Sequence, residues 1–130
     1  MSNPADAYLR FKTDALREEW ESDDIHPALR VLVYLAAMLR YRQTGKPAFI
    51  TSLLRTGDSA SPHCARPCRG ADLRTNDISA LTAREWEAEI RAAVLYMGDR
   101  HSALFHDVGQ GAHLHLQVSP IEPDPRKAEK

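Results

Sequence analysis

The stretch Gly111-Ala112-His113-Leu114-His115-Leu116-Gln117-Val118 limits the fold most, because imidazole and aliphatic side chains alternate along it. Residues two apart on a β-strand point to the same side of the sheet. As a strand, the segment displays His113 and His115 together and sends Leu114, Leu116 and Val118 to the other face or its continuation. Two imidazoles side by side on a stiff element are poor core material. They are a good start for a transition-metal site.

Further ligands lie about fifty residues earlier. Ser61-Pro62-His63 opens a loop that closes with Arg69-Gly70-Ala71-Asp72-Leu73-Arg74. A catalytic zinc site takes three protein ligands from His, Asp, Glu and Cys and leaves one position for water or substrate. His63, Asp72 and one strand histidine make such a set. The other strand histidine then stands beside the metal, placed to handle a proton or developing charge. Cys64 and Cys68 sit in the same loop, at a spacing wider than the usual zinc-knuckle pair and without a second pair. They read as two thiols, as a disulfide, or as alternative ligands.

At these residues the sequence resembles the zinc D-Ala-D-Ala peptidases. Those enzymes share a fold with the lysostaphin-type peptidases and the hedgehog signalling domain, and many are phage or bacterial peptidoglycan hydrolases. The shared pattern is Ser-x-His, then Gly and Ala shortly before an Asp, then His-x-His on a late strand. Phe49-Ile50-Thr51-Ser52-Leu53-Leu54-Arg55-Thr56 is similar to the family's strand ending in Arg-Thr. His106-Asp107-Val108-Gly109-Gln110-Gly111 is similar to the turn before its ligand strand. The resemblance spans residues 48 to 119.

The resemblance implies one zinc ion held by His63, Asp72 and His115, with His113 as the non-ligating, catalytic histidine. It implies that Arg55 and Ser61 bind the substrate's carboxylate or peptide groups. The implied activity is hydrolysis of an amide bond in peptidoglycan, in the stem peptide or its crosslink, by a phage-endolysin-like member. The chain departs from the pattern twice. The interval from His63 to Asp72 is two residues longer than in the family, and Ala112 stands where some relatives carry a Glu that acts as general base. Both departures leave room for an alternative on the same fold: a non-catalytic, zinc-stabilised module that binds the cell wall or serves in a virion.

The remaining periodicities predict an α+β fold of the hedgehog/DD-peptidase type, with helices packed on an antiparallel sheet that carries the metal. Ala5 to Glu21 reads as an amphipathic helix on Leu9, Leu16 and Trp20. Asp23-Asp24 offer cap oxygens before Pro27, and Leu29, Leu32, Val33, Ala36 and Leu39 recur at helical spacing until Thr44-Gly45. Phe49 to Leu54 reads as a strand and Thr56 to Arg69 as an irregular loop. Thr82-x-x-Glu85 has the form of a capping box, followed by a stripe of Trp86, Ile90, Ala93, Val94 and Met97. Glu85, Glu87 and Glu89 lie mostly off that stripe, as solvated charge. Ser102 to Asp107 and Ala112 to Val118 form a hairpin. Residues 1–130 make one domain, with N-terminal helices over 1–45, a catalytic core over 46–119 and a loose tail over 120–130.

His26, before Pro27, and His101, in a polar turn, are not expected as ligands. His106-Asp107 could act as a pair that holds a ligand's tautomer. With 17 basic and 18 acidic residues the net charge is −1, which gives no footprint for nucleic acid. The N-terminus shows no apolar secretory segment, and Val31 to Leu39 is far shorter than the roughly 20 apolar residues that span a bilayer. The chain is therefore expected to be made in the cytoplasm, without membrane insertion. It would reach a cell wall only by release or delivery.

Overall fold

A computed structural model describes residues 8–54, 62–95, 101–107 and 112–119. Along the chain come β1 (Leu9–Phe11), α1 (Asp14–Glu21), α2 (Pro27–Thr44) and β2 (Ala48–Ser52). A 3-10 turn (Pro62–Cys64), β3 (Gly70–Arg74), α3 (Ala80–Ala93), β4 (Ala103–Asp107) and β5 (Ala112–Gln117) follow. The strands form one five-stranded sheet in the order β1-β2-β3-β5-β4. This is an α+β fold, as expected, but the sheet is mixed rather than antiparallel, because β1 runs parallel to β2.

The strand β1 also corrects the expected first helix. Leu9 enters the core at 1% exposure. The backbone flanking β1 bonds to β2 through Ala48 N–H to Tyr8 O and Lys12 N–H to Ile50 O. The helix begins only after Thr13, whose extended backbone and side-chain bond from Leu16 N–H set a firm start. Two other helix starts shift. His26 rather than Asp23 or Asp24 caps α2, its Nδ1 accepting from Ala28 N–H at 3.0 Å. Pro27 forces the residue before it into extended backbone, which makes that residue the cap. Ser79, not Thr82, caps α3, and Thr82 supplies the N–H that bonds to it at 3.1 Å. Gly45 ends α2 in the left-handed conformation at φ 72°, a position suited to glycine.

Register assigns the faces of the sheet. Ala71 and Leu73 on β3 pair with Leu116 and Leu114 on β5, which pair in turn with Ala103 and Phe105 on β4. All but the half-buried Phe105 are fully buried in a core shared with Leu29, Leu32, Val33 and Ala36 of α2 and Trp86 and Ile90 of α3. The indole of Trp86 donates to Ala36 O at 2.9 Å, tying the two helices together. Of the expected α3 stripe, Ala93 is exposed and Met97 lies outside the described residues. Glu87 is not solvated: it is 8% exposed, accepts Phe105 N–H at 2.5 Å and pairs with Arg91 at 3.4 Å. It thereby satisfies a backbone donor of the edge strand β4. No helix among the described residues is long and apolar enough to cross a membrane.

Candidate metal centre

The other face of the sheet carries the polar cluster. Asp72 lies in β3, the middle strand, and pairs with Ser52 on one side and His115 on the other. Two residues along, Arg74 pairs with His113, which pairs with His106. The two-residue period of the strands thus places Asp72, His113, His115 and His106 on one surface, as the alternation in the sequence requires.

His63 reaches this surface from the 3-10 turn. The turn is held by Arg69 N–H and Ala65 N–H, both bonded to Pro62 O. It packs directly on Gly70: a Cβ there would fall 2.9 Å from Pro62 Cβ, 3.2 Å from His63 N and 3.4 Å from His115 Cε1. The approach requires glycine at residue 70. On β2, Ile50 pairs with Leu73 while Ser52 pairs with Asp72, so the strand carries an extra residue beside the site. Just beyond that bulge, Leu53 O lies 2.6 Å from His63 Nδ1. A carbonyl only accepts, so Nδ1 carries a hydrogen and donates it, which leaves Nε2 as the nitrogen turned towards Asp72.

That Nε2 lies 3.3 Å from Asp72 Oδ1, and His115 Nδ1 lies 2.8 Å from the same oxygen. The three ligand atoms offered by His63, Asp72 and His115 all fall within 4.8 Å of one another, so the cluster could hold a metal ion. His63 and Asp72 are 2% and 5% exposed. Burial pushes the Asp72 carboxyl's pKa up, but hydrogen bonds from His115 and then His63, with their charge, outweigh it and hold the group below the usual carboxylate range. The carboxylate is therefore ionised wherever a divalent ion would bind. His113 Nε2 lies 3.8 Å from Asp72 Oδ1, beside the trio rather than in it. The His106 ring packs edge-on against His113, 4.4 Å between centroids.

The structure thus brings together His63, Asp72, His115 and His113. Arg55 and Ser61 lie outside the described residues, as do most of the turn before β5 and residues 120–130. Cys64 and Cys68 are thiols with no disulfide between them, and neither belongs to the trio. Cys68 is buried, donates to Gly70 O at 3.1 Å, and its thiol pKa is pushed up by desolvation. Of the pair His106-Asp107 considered as a tautomer holder, the side chain of Asp107 lies outside the described residues. His115 Nε2 lies 3.2 Å from Gln117 Oε1, and Gln117 Nε2 donates to His101 O at 2.9 Å. Gln117 continues the same-face spacing of His113 and His115, and that spacing alone could have marked it. The contributions of Leu53 and His101 come from backbone carbonyls, for which a sequence has no signal. A cleft of about 380 Å³, lined by His101, Leu104, His115 and Gln117, opens beside the cluster. No protein-family model, curated protein or solved structure matches the chain.

Proposed function

We propose that the protein is a zinc-dependent amide hydrolase of the D-Ala-D-Ala peptidase type, on a hedgehog/DD-peptidase-like fold, acting on peptidoglycan peptides. The observation that carries the metal part is the convergence of one ligand atom each from His63, Asp72 and His115 within 4.8 Å of one another. Two imidazoles and one carboxylate are one of the donor sets of open, catalytic zinc sites. The tautomer of His63 suits this role, since Leu53 O takes its Nδ1 hydrogen and leaves Nε2 facing inward. The peptidoglycan part comes from the resemblance of the Ser-x-His, Gly-Ala-Asp and His-x-His segments.

Bound zinc would supply Lewis acidity, polarising the amide carbonyl and acidifying water. The chain's own groups do the rest. Asp72 contributes a full negative charge, and the sheet holds His115 in place through the β3–β5 ladder. His113, 20% exposed at its side chain and next to the trio, can hold a proton near the scissile bond and pass it to the departing amine nitrogen. The cleft beside His115 gives the substrate's flanking residue a place, with Leu104 as its apolar wall. Arg55 would pair with a substrate carboxylate through the two-pronged contact a guanidinium makes, and Ser61 would bind the peptide.

Ala112, in the position of the general-base Glu, favours a second reading: a module that keeps zinc without catalysis and binds the wall or another virion protein. One experiment separates the two. Purified protein is incubated with peptidoglycan, with and without chelator. Release of peptides or new amines that stops with chelator supports the hydrolase. Retention on the wall without products supports the module, and neither products nor retention sets aside both the hydrolase and a wall-binding module.

A further inference from the structure

We propose that Arg74 is a substrate-binding residue that takes a free carboxylate on the amine side of the bond to be cut, which rests on the hydrolase reading above and deepens it. Leu73 is fully buried in the core, so its neighbour Arg74 projects from the other face of β3, two residues beyond Asp72. Register lays out its row across the sheet. Arg74 pairs with His113, and His113 with His106. On the other side Ile50 pairs with Leu73 in antiparallel strands, which sets Phe49 beside Arg74, and Arg10 of β1 pairs with Phe49. None of these five side chains carries negative charge.

The guanidinium of Arg74 is held but not matched. Its carbon stands 4.5 Å from the centroid of the Phe49 ring, and the residue is half-buried. Arg40 Nη1 donates to Arg74 O at 3.4 Å, which ties down the backbone beneath it. Among the described residues the guanidinium makes no ion pair and no hydrogen bond. Asp72, the carboxylate on the same strand face, turns its Oδ1 to His115 and His63 instead. A guanidinium stacked on an aromatic face keeps its N–H edge for a planar, two-pronged contact with a carboxylate. The place of the residue says which carboxylate. Its row lies about 7 Å along β3 from Asp72, on the side of His113, the group that serves the departing amine. The cleft lined by Leu104 and Gln117 lies on the other side of that row, beside His115. A peptide running from the cleft across the metal position thus brings its C-terminal fragment past His113 to Arg74. A free carboxylate there fills the two-pronged site, and an amidated end does not.

The test compares a peptidoglycan stem peptide that has a free C-terminal carboxylate with the same peptide amidated at that end. Values of kcat/KM on both are measured for the wild type, Arg74→Gln and Arg74→Lys. The wild type should prefer the free carboxylate, and Arg74→Gln should cut that preference by about 10- to 100-fold, the range for a lost charge-assisted contact. Arg74→Lys, which keeps the charge without the planar fork, should fall between them. Loss of stacking on Phe49 alone would slow both peptides alike and leave the ratio untouched. A wild type with no preference, or an Arg74→Gln ratio equal to that of the wild type, overturns the proposal. If Arg74→Gln does not fold, an undiminished preference in Arg74→Lys overturns it. If the wild type cleaves neither peptide, the hydrolase reading fails and binding decides, read from the NMR signals of the Phe49 ring as each peptide is added. Tighter binding of the carboxylate form that disappears in Arg74→Gln then keeps Arg74 as the carboxylate site, and equal binding of the two forms, or none, overturns it.

Discussion

Asp72 Oδ1 has imidazole nitrogens of His115, His63 and His113 at 2.8, 3.3 and 3.8 Å, and that order predicts how substitutions differ. His115→Ala should abolish zinc binding and cleavage together, because two protein ligands hold the ion poorly. His113→Ala should keep the metal and slow turnover by about 10² to 10⁴, the range for a lost acid–base group. Metal content and wall digestion measured on both variants check this, and equal zinc loss in the two would end the division of roles. Asp72 also predicts a pH effect in zinc-free protein. Its folded pKa lies below the reference value of 3.8, so folding favours the ionised form. That contribution is present above the unfolded pKa and disappears as pH falls through the folded one. The urea midpoint of the wild type should therefore drop on acidification below about pH 4, and Asp72→Asn should show a shallower drop. Superimposed acid limbs would mean that the imidazoles do not favour the ionised carboxylate.

Between β3 and the 3-10 turn the decisive residue is Gly70, whose missing side chain lets Pro62 and His63 rest on the strand. Gly70→Ala places a methyl 2.9 Å from Pro62 Cβ, so the turn must move. Overpacking of this kind typically costs about 1–3 kcal/mol, and the displaced His63 should weaken zinc binding by about tenfold. Urea unfolding and chelator competition read the two effects, and unchanged zinc affinity would show that the turn yields without carrying His63 away. At this scale the sequence was legible where a period repeats. The long stripe of α2 and the alternation of β5 declared themselves, and with them came His113 and His115. The three residues of β1 carry no period of their own and continue the helical spacing of Leu16 and Trp20, so only pairing with distant β2 identifies them. The caps moved to His26 and Ser79 because Pro27 and the local hydrogen bonds, not residue type alone, choose where a helix starts. Buried Glu87 and buried Arg40 depend on partners 18 and 37 residues away, Phe105 N–H and Asp77. His63, Asp72 and the two strand histidines could be picked out by residue type and alternation, whereas the choice of His115 over His113 came from the family resemblance alone. The carbonyls of Leu53 and His101 that orient it could not, since every residue has one.

Across the whole molecule, the three ligand groups come from a turn, from β3 and from β5, segments that are brought together only by folding. An ion bound there belongs to the folded state, so it must raise stability by mass action. With free zinc at 100 times its dissociation constant the gain is about 2.7 kcal/mol. For a chain of this length that raises Tm by on the order of 10 °C. Calorimetry should show Tm rising with zinc and returning when chelator is added. Magnesium should do little, because it prefers oxygen ligands and keeps its water. His63→Ala should remove most of the zinc-dependent rise while leaving a cooperative transition, since the core under α2 and α3 lies on the opposite face of the sheet. A Tm indifferent to excess zinc would mean that the three groups form a hydrogen-bonded cluster in its own right. The same measurement separates staple from catalyst when paired with His113→Ala: a variant that keeps the full zinc-dependent rise but loses digestion places His113 in the chemistry, whereas a wild type that shows the rise and never digests wall is a zinc-stapled module.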